Sequence, residues 1–346
     1  MGVTKTLCQL VWFVATAVCV LAASVGQTRA ATDCDGTGPA PGGGGLLVDI
    51  AQSARGYVAV GKRGRILIVD AKGERSCLVL DSSRKFLTSA DFPSPEYGWV
   101  VGYDGFISHT KDGGLTWDVQ RDPASAGGAI PEPLFSVRFV DTLRGVAAGA
   151  YGSLAITEIG GRTWTETGLA GSDGVQEERH IYSLLSLGGA SLLAVGESGE
   201  PADDLTIDES ALLYRTDDAG RTWTKLTAPY FGSLFGGIAL DAERVLLFGL
   251  LGNMYLTEDG GKAWRKVDSK TKATLLGAAA ASDGTIYISG LNGTVLRYRW
   301  GEPSATAMPF GGSVIQEFVQ PVLVADEGKL AIVGNMGVEV FDLAEK

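Results

Sequence analysis

Residues 97–117 read Tyr-Gly-Trp-Val-Val-Gly-Tyr-Asp-Gly-Phe-Ile-Ser-His-Thr-Lys-Asp-Gly-Gly-Leu-Thr-Trp. A short apolar run ending at Val101 meets a Gly-x-x-Gly tetrad, Gly102 to Gly105, and a second run leads into the octet that starts at Thr110 and ends at Trp117. Runs this short are strands rather than helices, and their apolar character on both faces marks strands sandwiched between layers. The tetrad between them reads as a tight hairpin in which glycine relieves the steric cost of positive φ.

The same tetrad recurs at 61–64, 149–152, 196–199, 249–252, 290–293 and 334–337, each time after an apolar run such as Tyr57-Val-Ala-Val60 or Val245-Leu-Leu-Phe248. Successive first glycines stand 41 to 53 residues apart, the period of a four-stranded propeller blade. Seven tetrads predict an all-β fold, a seven-bladed β-propeller of four-stranded antiparallel blades. The domain reading is 1–30 signal peptide, 31–44 Gly/Pro-rich N-terminal segment and 45–346 propeller. The third strand run at 338–341 has no outer strand after it, and the segment 31–37 could supply or cover that edge.

The octet ending in Trp117 has three counterparts, 157–164, 216–223 and 257–264, all close to Ser/Thr-x-Asp-x-Gly-x-x-Trp, the Asp-box pattern. Its expected role is structural: Asp112, Asp218 and Asp259 accept backbone N–H bonds inside the turn, while Trp117, Trp164, Trp223 and Trp264 cover the space between blades. Ile159 replaces the aspartate in one copy, which a scaffold tolerates and a catalytic set does not.

The first thirty residues carry Lys5, an apolar stretch from Leu7 to Ala23 and small residues up to Ala31, the layout of a Sec signal peptide. An uncleaved anchor is the alternative. Export to a periplasm, thylakoid lumen or extracellular space would leave Cys34 and Cys77 as the mature cysteines, expected as a disulfide, with two free thiols as the other reading.

With 29 basic and 40 acidic residues, a net charge of −11, the chain offers no long basic stripe for nucleic acid. Neither His109 nor His180 has a nucleophile or second histidine at motif spacing, so no catalytic residue, metal site or cofactor is expected. The acidic insertion 200–210 reads as a solvated loop, calcium being the alternative. In a four-stranded blade the tetrad turns and the connections between blades share one face, opposite the Asp-box turns. The irregular segments 121–133, 168–180 and 200–210 all fall on the tetrad face, where a partner site is expected. Arg63, Arg65, Tyr103, Arg138 and Tyr151 are the candidate contacts, with acidic or C-terminal carboxylate segments as ligands.

Tandem apolar strand, Gly-x-x-Gly, second strand and Thr-x-Asp-Gly-Gly-x-x-Trp, over roughly 45–342, resemble the Ycf48/Hcf136-like photosystem II assembly factors. The resemblance implies a non-enzymatic, monomeric propeller of the lumen or periplasm, peripheral to the membrane, that binds a newly made membrane-complex subunit and carries an arginine patch on one face. Members also occur in bacteria that do not photosynthesise. Two alternatives stand beside it: an exported accessory protein of an envelope transporter, and a sialidase-like glycoside hydrolase, since Asp-boxes occur there too. The hydrolase reading lacks an Arg-Ile-Pro motif, Ala129-Ile130-Pro131 being the nearest fragment.

Overall fold

A computed structural model describes residues 45–70, 75–80, 85–123, 131–171, 174–199, 210–309, 318–324, 328–335 and 337–343. The strands form antiparallel sheets in which neighbours in sequence are neighbours in space. Blade 1 comprises Leu47–Ser53, Gly56–Gly61, Arg65–Val69 and Arg75–Val79. Five further four-stranded blades begin at the inner strands Leu87–Asp91, Leu134–Phe139, Ile181–Gly188, Leu234–Ala239 and Leu275–Ala280.

The expectation of seven four-stranded blades is corrected here: the described residues build six complete blades. The remaining strands, Phe318–Val324, Lys329–Gly334 and Gly337–Asp342, make a sheet of only three. Beyond Asp342 a single described residue follows, too little backbone for another ladder. The segment 31–37 that was to complete it lies outside the described residues, as do the leader 1–30 and the acidic loop 200–209. The three-stranded sheet sits between blade 6 and blade 1, with Phe318–Val324 against Leu47–Ser53.

The core lies between blades rather than at one centre. Val58, Ile66 and Ile68 of blade 1 pack with Leu87, Val100 and Trp117 of blade 2, and equivalent clusters repeat round the ring. This is why the second strands are apolar on both faces: Gly98–Gly102, Gly145–Gly149 and Val245–Gly249 are buried at every position. No helix among the described residues is long and apolar enough to cross a membrane.

Candidate functional site

The tetrads do more than turn the chain. In each described sheet the first tetrad glycine is paired with the first residue of the inner strand, as Gly61 with Leu47, Gly102 with Leu87 and Gly149 with Leu134. The N–H of the next residue donates to the carbonyl just before that strand: Lys62 to Leu46, Tyr103 to Phe86, Ala150 to Pro133, at 2.9 to 3.0 Å. The first glycine is therefore extended, and its role is close approach: a Cβ at Gly102 or Gly149 would strike that carbonyl. Positive φ belongs to the last two tetrad positions, for example Asp104 and Gly105.

Immediately after the glycine-paired residue the register slips by one, a β-bulge at the same place in every inner strand. In the six complete blades the unpaired residues are Val48, Thr88, Phe135, Tyr182, Phe235 and Leu276, and all six line one axial cavity of about 310 Å³. Bulges re-aim side chains in this way. Phe86 and Tyr103, with ring centroids 5.3 Å apart, add to the same wall, and the Tyr182 and Phe235 rings lie 5.0 Å apart. The sequence reasoning missed Phe135, Tyr182 and Phe235. Their signal was position, each standing 14 residues before a tetrad's first glycine.

Below this collar lies a polar layer. Asp49 accepts from Ser89 Oγ and from the Ala90 amide, both at 2.8 Å, and from its neighbour Ile50 at 2.9 Å. Asp91 accepts from the Phe139 amide at 2.7 Å, and Arg138 Nη1 lies 3.7 Å from its Oδ1. Burial raises both carboxyl pKa values from the ordinary range, with the Arg138 charge opposing.

Of the expected contacts, Tyr103 and Arg138 line this cavity. Tyr151 joins its rim through His180, whose Nδ1 accepts the Tyr151 amide at 3.1 Å and whose ring lies 4.8 Å from the tyrosine ring. Arg63 is exposed on the first tetrad turn. Arg65 is buried, only 8% exposed, and so is Lys85, which pairs with Asp122. Around the first tetrad only Lys62 and Arg63 are thus basic and at the surface among the described residues. The tetrad face is instead rich in exposed apolar groups. Phe231 is 76% and Tyr151 61% exposed, and Val175, Leu250 and Leu251 are exposed with them on tetrad turns or blade connections.

The Asp-box residues occupy the opposite face. Asp112 Oδ1 accepts from Thr110 Oγ1 at 2.8 Å and from the Thr116 amide at 2.9 Å, and Trp117 Nε1 donates to the Gly114 carbonyl at 2.8 Å. Asp218 repeats the set with Thr216, Thr222 and Trp223. Burial works against ionisation of Asp112 and Asp218, but the bonds from Thr116 and Thr222 outweigh it and hold both pKa values below the usual carboxylate range. Asp259 accepts from Thr257 Oγ1 and the Ala263 amide. Where Ile159 replaces the acid, the box indole also changes partner: Gln120 of the preceding blade donates from Nε2 to the Gly160 carbonyl, and its Oε1 accepts from the indoles of Trp164 and Trp99. Trp117 and Trp223 are buried, whereas Trp164 and Trp264 are half-buried. These carboxylates are committed to their own turns.

Cys77 is disulfide-bonded, and Cys34 lies outside the described residues. No group of three or more metal-ligating side chains comes together among the described residues.

Residues 74–237 match the family described as photosynthesis system II assembly factor YCF48. A solved YCF48 bound to a D1 peptide superposes with a TM-score of 0.65 at 18% identity, covering 86% of this chain and 92% of that one. YCF48 from Cyanidioschyzon merolae gives 0.66 at 18% identity, with 89% and 98% covered. PorZ, a surface component of the type-IX secretion system of Porphyromonas gingivalis, gives 0.60 at 15% identity, with 87% of this chain covered but 37% of PorZ. Identities this low show the fold. No curated protein sequence matches the chain.

Proposed function

We propose, for a chain that belongs to a Ycf48-like family, an exported, non-enzymatic propeller that binds a segment of a membrane-complex subunit on its tetrad face and holds it during assembly. The observation that carries this reading is the set of exposed apolar side chains on the tetrad turns and blade connections of blades 3 to 5, Tyr151, Val175, Phe231, Leu250 and Leu251, on the face that also opens into the aromatic-lined axial mouth. Exposed large apolar side chains gathered on one face point to an interaction surface. The YCF48 solved with a D1 peptide supports a peptide ligand for this fold. Export is supported by the leader-like composition of residues 1–30 and by the disulfide at Cys77, a bond of oxidising compartments.

The test is photocrosslinking. A benzoylphenylalanine placed at Tyr103, Tyr151 or Phe231 should form adducts in envelope extract of the source cells, while the same group at Leu143 or Ile159, exposed on the Asp-box face, should not. Adducts from the Asp-box positions alone would put the partner on the other face, and adducts from neither would remove the protein-binding reading. The identity of the adduct separates a photosynthetic complex from an envelope transporter.

A further inference from the structure

The chemistry of the axial mouth specifies what should enter it. The cavity wall carries one carboxylate, Asp49, and one guanidinium, Arg138. Arg138 is already divided: its Nη1 donates to the Val137 carbonyl at 2.8 Å and lies 3.7 Å from Asp91, while its charge also acts on Asp49. At the rim Glu197, whose Oε2 accepts the His180 amide at 2.9 Å, adds a third negative charge. Burial, and after it the Glu197 charge, raises the Tyr182 hydroxyl pKa. Asp49 and Asp91 thus meet one guanidinium around rings whose faces present negative potential, and at the second tetrad positions of the rim Glu197 is countered only by Lys62 of blade 1. An incoming carboxylate would find Arg138 taken and two partly desolvated acids beside it. An incoming cation would find aromatic faces for its alkyl stem and a carboxylate short of countercharge.

We propose that the axial mouth receives one lysine or arginine side chain of the partner, its stem between the Tyr182, Phe235 and Tyr103 rings and its charged head toward Asp49. The proposal rests on the reading that the tetrad face binds a protein. It reverses the acidic-ligand expectation drawn from the arginines of the sequence, because the fold surrounds Arg138 with acids and buries Arg65.

Small probes test it without knowledge of the partner. n-Butylguanidinium chloride, n-butylammonium chloride, sodium butyrate and n-butanol would each be titrated into the purified exported chain and followed by saturation-transfer NMR. The two cations should bind about tenfold or more tighter than butyrate or butanol, the range of a desolvated cation–π site with a carboxylate. Asp49→Asn and Tyr182→Leu should each weaken them several-fold. Because Asp49 also holds blade 2, Phe235→Leu, which touches no inter-blade hydrogen bond, keeps the test decisive if Asp49→Asn unfolds. Butyrate binding as tightly as the cations, cation binding unchanged in Tyr182→Leu and Phe235→Leu, or no cation binding at all would each overturn the proposal. None of these outcomes bears on crosslinking at Tyr151 or Phe231, which tests the protein-binding face separately.

Discussion

The Ser89 hydroxyl donates to Asp49 Oδ2 at 2.8 Å, so that one carboxylate on the inner strand of blade 1 holds the inner strand of blade 2. The device continues round the axis: Ser89 Oγ accepts the Val137 amide of blade 3, and Ser136 Oγ accepts the Leu184 amide of blade 4. Side chains at equivalent positions beneath the collar thus stitch successive blades together. Asp49→Ala should orphan the Ala90 amide and the Ser89 hydroxyl, at about 1 to 3 kcal/mol for each buried donor. Asp49→Asn, which keeps an acceptor and removes a charge that burial disfavours, should cost less. Urea unfolding of the two variants checks the order, and equal losses would refute the role of the acceptor.

Gly149 is paired with Leu134, and a Cβ there would collide with the Pro133 carbonyl. Gly149→Ala should therefore push the inner strand away, at about 1 to 3 kcal/mol, the usual cost of forcing a side chain into a filled space. Because the bulge at Phe135 depends on that pairing, probe binding in the axial mouth should fall as well. A variant as stable as the parent, with an unchanged mouth, would show that close approach is not what the first glycine serves.

The repeat period, the strands and the Asp-box turns were legible in the sequence, because each is local chemistry repeated at near-regular spacing. The collar was not. Val48, Thr88, Phe135, Tyr182, Phe235 and Leu276 share no residue type, and only the slip opposite each tetrad glycine places them on the axis. Arg65 was misread as a surface contact because a turn-adjacent arginine is ordinarily solvated, whereas here it opens a strand buried at all five positions. The fourth strand of the last sheet was sought in the segment 31–37, which lies outside the described residues, and no described residues supply it.

The boxes should respond as scaffolding. Trp117→Ala, which empties a fully buried site, should cost about 3 to 5 kcal/mol, and Trp223→Ala should fall in the same range. Trp264, half-buried with no hydrogen-bond partner for its Nε1, should cost less. Asp218→Ala should cost about 1 to 3 kcal/mol through lost turn bonds, and Ile159→Asp, which restores the missing acceptor, should gain about 0.5 to 1.5 kcal/mol. Thermal or urea denaturation measures all five. No gain in Ile159→Asp would mean that this turn does not need the acid's bonds.

Cys77 should be bonded to Cys34, the pairing expected if the leader, with Cys8 and Cys19, is removed. Peptide mapping of non-reduced exported protein should recover the two cysteines in one linked fragment. Reduction should then destabilise the chain by roughly 3 to 4 kcal/mol if loop closure sets the effect. A linked fragment containing Cys8 or Cys19 in place of Cys34 would overturn both the pairing and the cleavage site.

His109 sets a pH dependence that separates from the carboxylates. It is 5% exposed, stacked 4.4 Å from Trp99, with no hydrogen-bond partner for Nε2, and burial, helped by the Lys111 charge, pushes its pKa down to about 4. An unfolded histidine titrates near 6.5. Between those values the unfolded chain binds a proton that the folded chain refuses, so stability should fall as pH drops through 6.5 and level off near 4. The total is about 3 kcal/mol at most. Asp49 and Asp91, with raised pKa values, slope the other way, since the folded chain takes up their protons first as pH falls. The lowered acids Asp112 and Asp218 lose their contribution only below the ordinary carboxylate range. Comparing urea midpoints at pH 7 and pH 4.5 for the parent and His109→Phe, which keeps the ring stack, isolates the histidine: the parent should lose more stability than the variant. Equal losses would show that His109 takes its proton in the folded state.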